Sequence, residues 1–389
     1  MAQQSTAHQA SLTRPGAANG GADPRELYLK LFSGEMFKGF QNNAIARDLV
    51  MKRTLRNGKS LQFIYTGHTK AEFHTPGNSI LGNSDGAPPV AEKTITVDDL
   101  LISSAFVYEL DETLAHYELR GEISKKIGYA LAEKYDRLIF RAITNGARKA
   151  SPVTKTNFVE PGGTQIRVGA AGTPAQSEAF NADNLIAAFY DAAAALDEKG
   201  VSTDGRVGVL NPRQYYELIQ KVGDGGLVNR DVQGASLQSG NGVVEIAGIK
   251  IFKSMNIPFF DKYGVKYGIT GGPADPGNTG SFISQQIESA KTTDTGINNS
   301  YGQGLQQSDG TATGGDGNFN HSCGLIFQKE AAGVVEAIGP SVQVTSGDVS
   351  VIYQGDVILG RVAMGADYLN PAACVELYAG NATGNSAWS

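Results

Sequence analysis

The chain has 389 residues, with 33 Lys and Arg against 39 Asp and Glu, and hydrophobic residues make up 41% of it. That length and apolar fraction exclude a wholly disordered chain and supply core enough for two or three domains. A net charge of −6 argues against a protein built chiefly to grip phosphates, and 49 non-periodic glycines are the compositional anomaly.

Residues 1–23 are rich in Gln, Ala, Ser, Thr and Gly and read as a flexible arm. They have no apolar h-region, so no secretory signal is expected. From Glu26 to Asn43 a stripe of Leu27, Leu29, Leu31, Phe32, Met36 and Phe37 predicts a short helix or an extended segment. Leu61–Tyr65 and Lys93–Val97 alternate as strands do. The polar, Gly- and Pro-rich stretch 67–89 between them makes the pair a long two-stranded excursion. Such a ribbon is marginal alone, so it folds back on its own domain or lies on a neighbouring subunit.

Ile123, Ile127, Leu131, Tyr135, Leu138 and Ile143 recur at helical spacing. A helix from about Asp111 to Thr144, closed by Asn145-Gly146, would span roughly 50 Å. Its charged remainder predicts a helix lying along a surface and not wrapped in a core. A second helix is predicted over Asn181–Lys199, then a strand at Arg206–Leu210 and a helix opened by Pro212 and running through Gln220. Val243–Phe252 reads as strand, turn, strand. This alternation is that of a compact α/β or α+β domain. Residues 271–320 are low in complexity and read as a surface insertion. Strands are expected at 324–327, 333–338, 341–345, 349–353, 357–364 and 373–378. No run of apolar residues is long enough for a membrane helix.

Catalytic and metal motifs do not assemble. Gly58-Lys59-Ser60 resembles the end of a phosphate loop, but Arg53 occupies the position of the required glycine. Asp316, Asn318 and Asn320 have calcium-loop spacing, but His321 and Phe327 replace its Gly and Glu. His68 and His74, with Glu72 between, make at most a weak metal pair. Asp98-Asp99 and Asp111-Glu112 are adjacent carboxylates, which on a strand face opposite ways. Cys323 and Cys374 have no ligand spacing around them and read as buried, inert thiols. No cofactor and no metal are expected. Arg47, Lys52, Arg53, Arg56 and Lys59 form the densest basic group, a solvated face or a surface for an acidic neighbour or nucleic acid.

The order of segments, with LYLKLFSGEMFKGF (Leu27–Phe40), GKSLQFIYTGHTKAEFHTPG (Gly58–Gly77), EKTITVDDLL (Glu92–Leu101), AHYELR (Ala115–Arg120), GLIFQKEAAG (Gly324–Gly333), AMG (Ala363–Gly365) and the Leu369-Asn370-Pro371 turn, resembles the major capsid proteins of T-seven-like podoviruses, including the cyanophage branch. The resemblance implies an α+β fold of the Hong Kong 97 type. Its parts would be an N-terminal arm (1–57), an E-loop hairpin (58–105), a P-domain with a long spine helix (106–165), an A-domain (166–335) and returning P-domain strands with a tail (336–389). It implies a non-enzymatic shell subunit, forming hexamers and pentamers of an icosahedral head around double-stranded DNA. A scaffolding protein and a portal are the implied partners, without membrane contact, and the virion is the location after synthesis in the host cytoplasm. Leu61, Phe63 and Tyr65 would stiffen the ribbon. Leu61, Phe63 and Tyr65, with Glu72 and Asp85 at its tip and Arg53 and Arg56, are candidate contacts between subunits. No Lys–Asn cross-linking pair is matched. The alternatives are an encapsulin-type nanocompartment shell and an α/β nucleotide-binding enzyme.

Overall fold

The computed structural model describes residues 45–68, 73–77, 88, 90–97, 100–109, 119–150, 154–155, 158–169, 176–220, 244–254, 256–257, 322–344 and 354–379. The chain divides into two compact units. One holds residues 98–135 and 336–364. The other holds 45–97, 136–335 and 365–389, so the division falls inside one helix and two strands.

In the first unit, β4 (Leu101–Tyr108) pairs antiparallel with β13 (Gly355–Tyr368), from Leu101 opposite Val362 to Tyr108 opposite Gly355. β12 (Ala332–Val344) follows on the other side of β13. The first half of helix α2 (Leu119–Ala147) sets Ile127 and Leu131 over Gly360 of β13. Glu336, buried on β12, accepts a 2.6 Å hydrogen bond from the Tyr135 hydroxyl at the end of that half.

The second unit is built on a mixed six-stranded sheet, ordered β7 (Thr164–Arg167), β14 (Cys374–Tyr378), β11 (Ser322–Gln328), β8 (Arg206–Leu210), β10 (Ile249–Lys253), β9 (Val244–Ile246). Every residue of β8 is buried, which explains the near-continuous apolar run there. Helix α3 (Ala182–Glu198) lays Leu185, Phe189, Ala192 and Leu196 into the core, with the Phe189 ring against Gly208. Asn181 caps it by accepting the Asp183 N–H. Helix α4 (Pro212–Gln220) buries Tyr215 and Leu218.

Several expectations change. Helix α2 is not a surface helix throughout. From Asp136 to Thr144 every residue is buried, including Arg137 and Arg141. It also runs past Asn145-Gly146. Gly146 is there for space, because a Cβ would lie 2.8 Å from both Cys374 Sγ and Tyr368 Cβ. The runs at 333–338 and 341–345 form one strand, β12, through Gly339 and Pro340. A proline is tolerated in a strand where no ladder bond needs its nitrogen. The short exposed strand β1 (Met51–Thr54) has no apolar alternation and gives no signal in the sequence. The segments 26–43, 271–320 and 349–353, and the pairs Asp98-Asp99 and Asp111-Glu112, lie outside the described residues.

Asp136 clamps the short helix α1 (Ala46–Leu49) from a distance of 90 residues in sequence. Its oxygens accept the Ile45 N–H at 2.8 Å and the Ala46 N–H at 3.1 Å, with Asn256 beside them. Burial pushes its carboxyl up to about 6, although these bonds pull the other way. The native state therefore holds that proton more tightly than the unfolded chain. Stability rises as pH falls from about 6 toward the ordinary value of 3.8. In urea denaturation, Asp136→Asn is expected to flatten that slope, by on the order of 2–3 kcal/mol across the window. At Gly365 a Cβ would stand 2.0 Å from the Thr96 carbonyl oxygen. Gly365→Ala is expected to cost about 1–3 kcal/mol. Gly339→Ala, with nothing within 4 Å, should stay within about 0.5 kcal/mol of wild type by the same measurement.

Candidate assembly surface

β2 (Ser60–Thr66) and β3 (Val90–Thr96) form the ribbon, with Leu61 opposite Ile95, Phe63 opposite Lys93 and Tyr65 opposite Ala91. Period two places these six side chains on one face. That face is half-buried to buried, and Ile95 is fully enclosed. The ribbon's root therefore folds back on its own unit. Leu61, Phe63 and Tyr65 face inward.

Three contacts hold the root. Glu160, fully buried, accepts the Tyr65 hydroxyl at 3.1 Å, the His68 N–H at 2.5 Å and the His68 ring Nδ1 at 3.0 Å. Burial works to raise the Glu160 value, but these bonds outweigh it and hold the carboxyl below its usual range. Burial, then the Glu160 charge and hydrogen bond, push the Tyr65 phenol up to about 12. Lys93 pairs with Asp367 at 2.7 Å and sits 3.8 Å from the centre of the Tyr368 ring. Burial works to lower the Lys93 value, and Asp367 outweighs it and holds the ammonium above its ordinary value. The Val97 N–H donates to the Lys59 carbonyl at 2.8 Å, closing the base of the ribbon.

The opposite face is apolar in part and open. Ile64 is 74% exposed and Val90 62%. Beside the root lies a cleft of about 720 Å³ lined by Phe63, Tyr65, Lys93, Lys199 and Asn370 among others. Its cations are already engaged: Lys199 donates to the Gly162 carbonyl and the Thr164 hydroxyl, and Lys93 to Asp367. It offers no free charge for a small anion.

From β1 through the turn into β2, residues 52–59 are basic and almost wholly exposed. Arg53 and Arg56 stand on it and are not brought to Leu61, Phe63 and Tyr65. Glu72 and Asp85 lie outside the described residues, as do Asp316, Asn318 and Asn320. Gly58, in a left-handed conformation, leads into the strand β2. A phosphate loop leads into a helix N-terminus, so the nucleotide-loop geometry is absent at these residues. His68, in the loop after β2 and 66% exposed, is bonded to Glu160. Among the described residues no three His, Cys, Asp or Glu side chains group as metal ligands. Cys323 and Cys374 are free, buried thiols donating to the carbonyls of Leu377 and Asn370, and burial raises both thiols well above their ordinary value. Ile64 was legible from alternation as the face opposite Tyr65, whereas Val90 precedes the predicted strand Lys93–Val97. Glu160, Asp367 and Tyr368 carry no local signal, since they reach the ribbon from distant segments.

The fold that these elements build is shared with the shell subunits of tailed-phage heads of the Hong Kong 97 type. The capsid structure of the cyanophage P-SCSP1u is similar over 98% of this chain and 100% of that chain, with a TM-score of 0.67 and 28% identity. The mature capsid of bacteriophage PhiM1, at 15% identity and a TM-score of 0.59, shares the fold. The family model for Gp10A-like major capsid proteins matches residues 62–270, and the chain belongs to that family. The major capsid protein of Escherichia phage T7 is 27% identical over 201 residues, 51% of this chain and 57% of that protein. The match thus spans a little over half the length of that curated relative.

Removing the Glu160 charge tests the clamp. Glu160→Gln is expected to lower stability by about 1–2 kcal/mol at neutral pH and to speed amide exchange in β2 and β3. The native carboxyl lies below its unfolded value, so its contribution is present above that value and is lost on acidification. The difference between mutant and wild type should shrink as pH falls below 4.5.

Proposed function

We infer that the chain is the shell-forming subunit of an icosahedral phage head, assembling as hexamers and pentamers around double-stranded DNA. The observation that carries this reading is the likeness to the cyanophage capsid along almost the whole of both chains. The role is structural, with no catalytic step and no cofactor. The segments take the parts of N-terminal arm (1–57), E-loop (58–105), P-domain with spine helix (106–165), A-domain (166–335) and P-domain strands with tail (336–389). Subunits are made in the host cytoplasm, close with a scaffolding protein and a portal, and end in the virion.

Physical chemistry supports the assignment. A coat subunit places much of its free energy between copies. The ribbon is firm at its root and offers Ile64 and Val90 on an open face, and Glu72 and Asp85 extend the contact at its tip. A net charge of −6 suits a wall that does not adhere to the DNA it encloses.

Expression of the full chain with a scaffolding protein, followed by gradient sedimentation and negative-stain microscopy, is expected to give closed particles. A strictly monomeric product at high concentration would end this reading. Deleting residues 67–87 should leave the second unit folded by thermal denaturation and block closure.

A further inference from the structure

Two exposed surfaces of the second unit are opposite in charge. The first runs from the end of β1 through the turn that leads into β2. Arg53, Arg56 and Lys59 are exposed there, and none has an ion-pair partner among the described residues. No acidic residue occurs from Met51 to Gln62. The second is the outward face of α3. Asp183, Ala187, Tyr190, Asp191, Ala194 and Glu198 share one stripe at helical spacing, all exposed. The helix contains no Lys, Arg or His from Ala182 to Glu198. Asp191 and Glu198 have no partner among the described residues. Tyr190, 57% exposed, stands between the acids.

We propose that the basic turn of one copy docks on this outward face of α3 in a second copy. The inference rests on the shell-subunit reading above and names one contact within it. The acidic row runs about 22 Å along the helix from Asp183 to Glu198, and the basic segment carries Arg53, Arg56 and Lys59 within seven residues. The small side chains Ala187 and Ala194 let the turn approach the helix closely. Arginine suits the site because its planar guanidinium pairs with a carboxylate and stacks on an aromatic face such as Tyr190. Two different patches meeting head to tail make a heterologous contact, which propagates around a ring of subunits. A contact of the turn with nucleic acid would account for the cations and leave the acidic face unexplained.

The test reverses charge on each side and then on both, using the full chain under the assembly conditions above. The variants are Arg53→Glu with Arg56→Glu, Asp191→Arg with Glu198→Arg, and all four together. All positions are exposed, and thermal denaturation checks that each variant folds. Each single-sided reversal is expected to lower particle yield by about tenfold or more, and the combined variant to recover to within about threefold of wild type. Wild-type yield from either single-sided variant overturns the proposal, as does a combined variant no better than the worse single-sided one. So does a basic-side variant that closes normally but encloses less DNA, which assigns the turn to nucleic acid. Absence of particles from the wild-type chain itself overturns the shell reading, a distinct result.

Discussion

A two-stranded ribbon has one face to bury and no third strand to share its backbone. Everything near the ribbon answers that constraint. Its inner face is pressed onto its own unit through Ile95, and its polar side chains are caught by Glu160 and Asp367. The close approach of the β13 backbone to Thr96 requires a residue without a side chain at 365. A root held this firmly leaves the outer face fixed in direction. Ile64 and Val90 are then presented to whatever lies beyond, and not folded away.

The same device recurs through the molecule. Buried carboxylates tie segments far apart in sequence. Asp136 holds the start of α1, Glu160 the ribbon, and Glu336 the Tyr135 hydroxyl across 201 residues. Glu376 takes Arg148 in a two-pronged pair at 2.8 and 2.7 Å across 228 residues, with Gln165 on the same carboxylate. Each such group is costly to enclose and more costly to orphan. They therefore specify which segments meet more than they add to net stability. For a subunit whose extensions must emerge at set directions, specificity of this kind is the useful property.

Legibility followed range. The core stripe of α3, the alternation of Leu61, Phe63 and Tyr65, and the turn between β9 and β10 are local patterns, and they were readable. The run Leu100–Tyr108 gave no alternation clear enough to reveal β4, because its pattern of exposure is irregular. Gly146 looked like a helix stop, since a glycine placed for close packing and one placed for a cap are the same letter. His68 is a loop histidine as its surroundings suggest, and its partner, Glu160, was not legible because it is 92 residues away.

By itself, then, the sequence determined the periodic elements, the mild acidity, the excess of glycine and, through ordered short motifs, the family. Periodicity is a property of neighbours along the chain, so it survives in one dimension. The tertiary structure alone decided that the ribbon's root closes on its own unit, that the second half of α2 is buried, and which acids meet which donors. Those outcomes depend on pairings across 90 residues or more, and no local pattern encodes where the far partner will arrive.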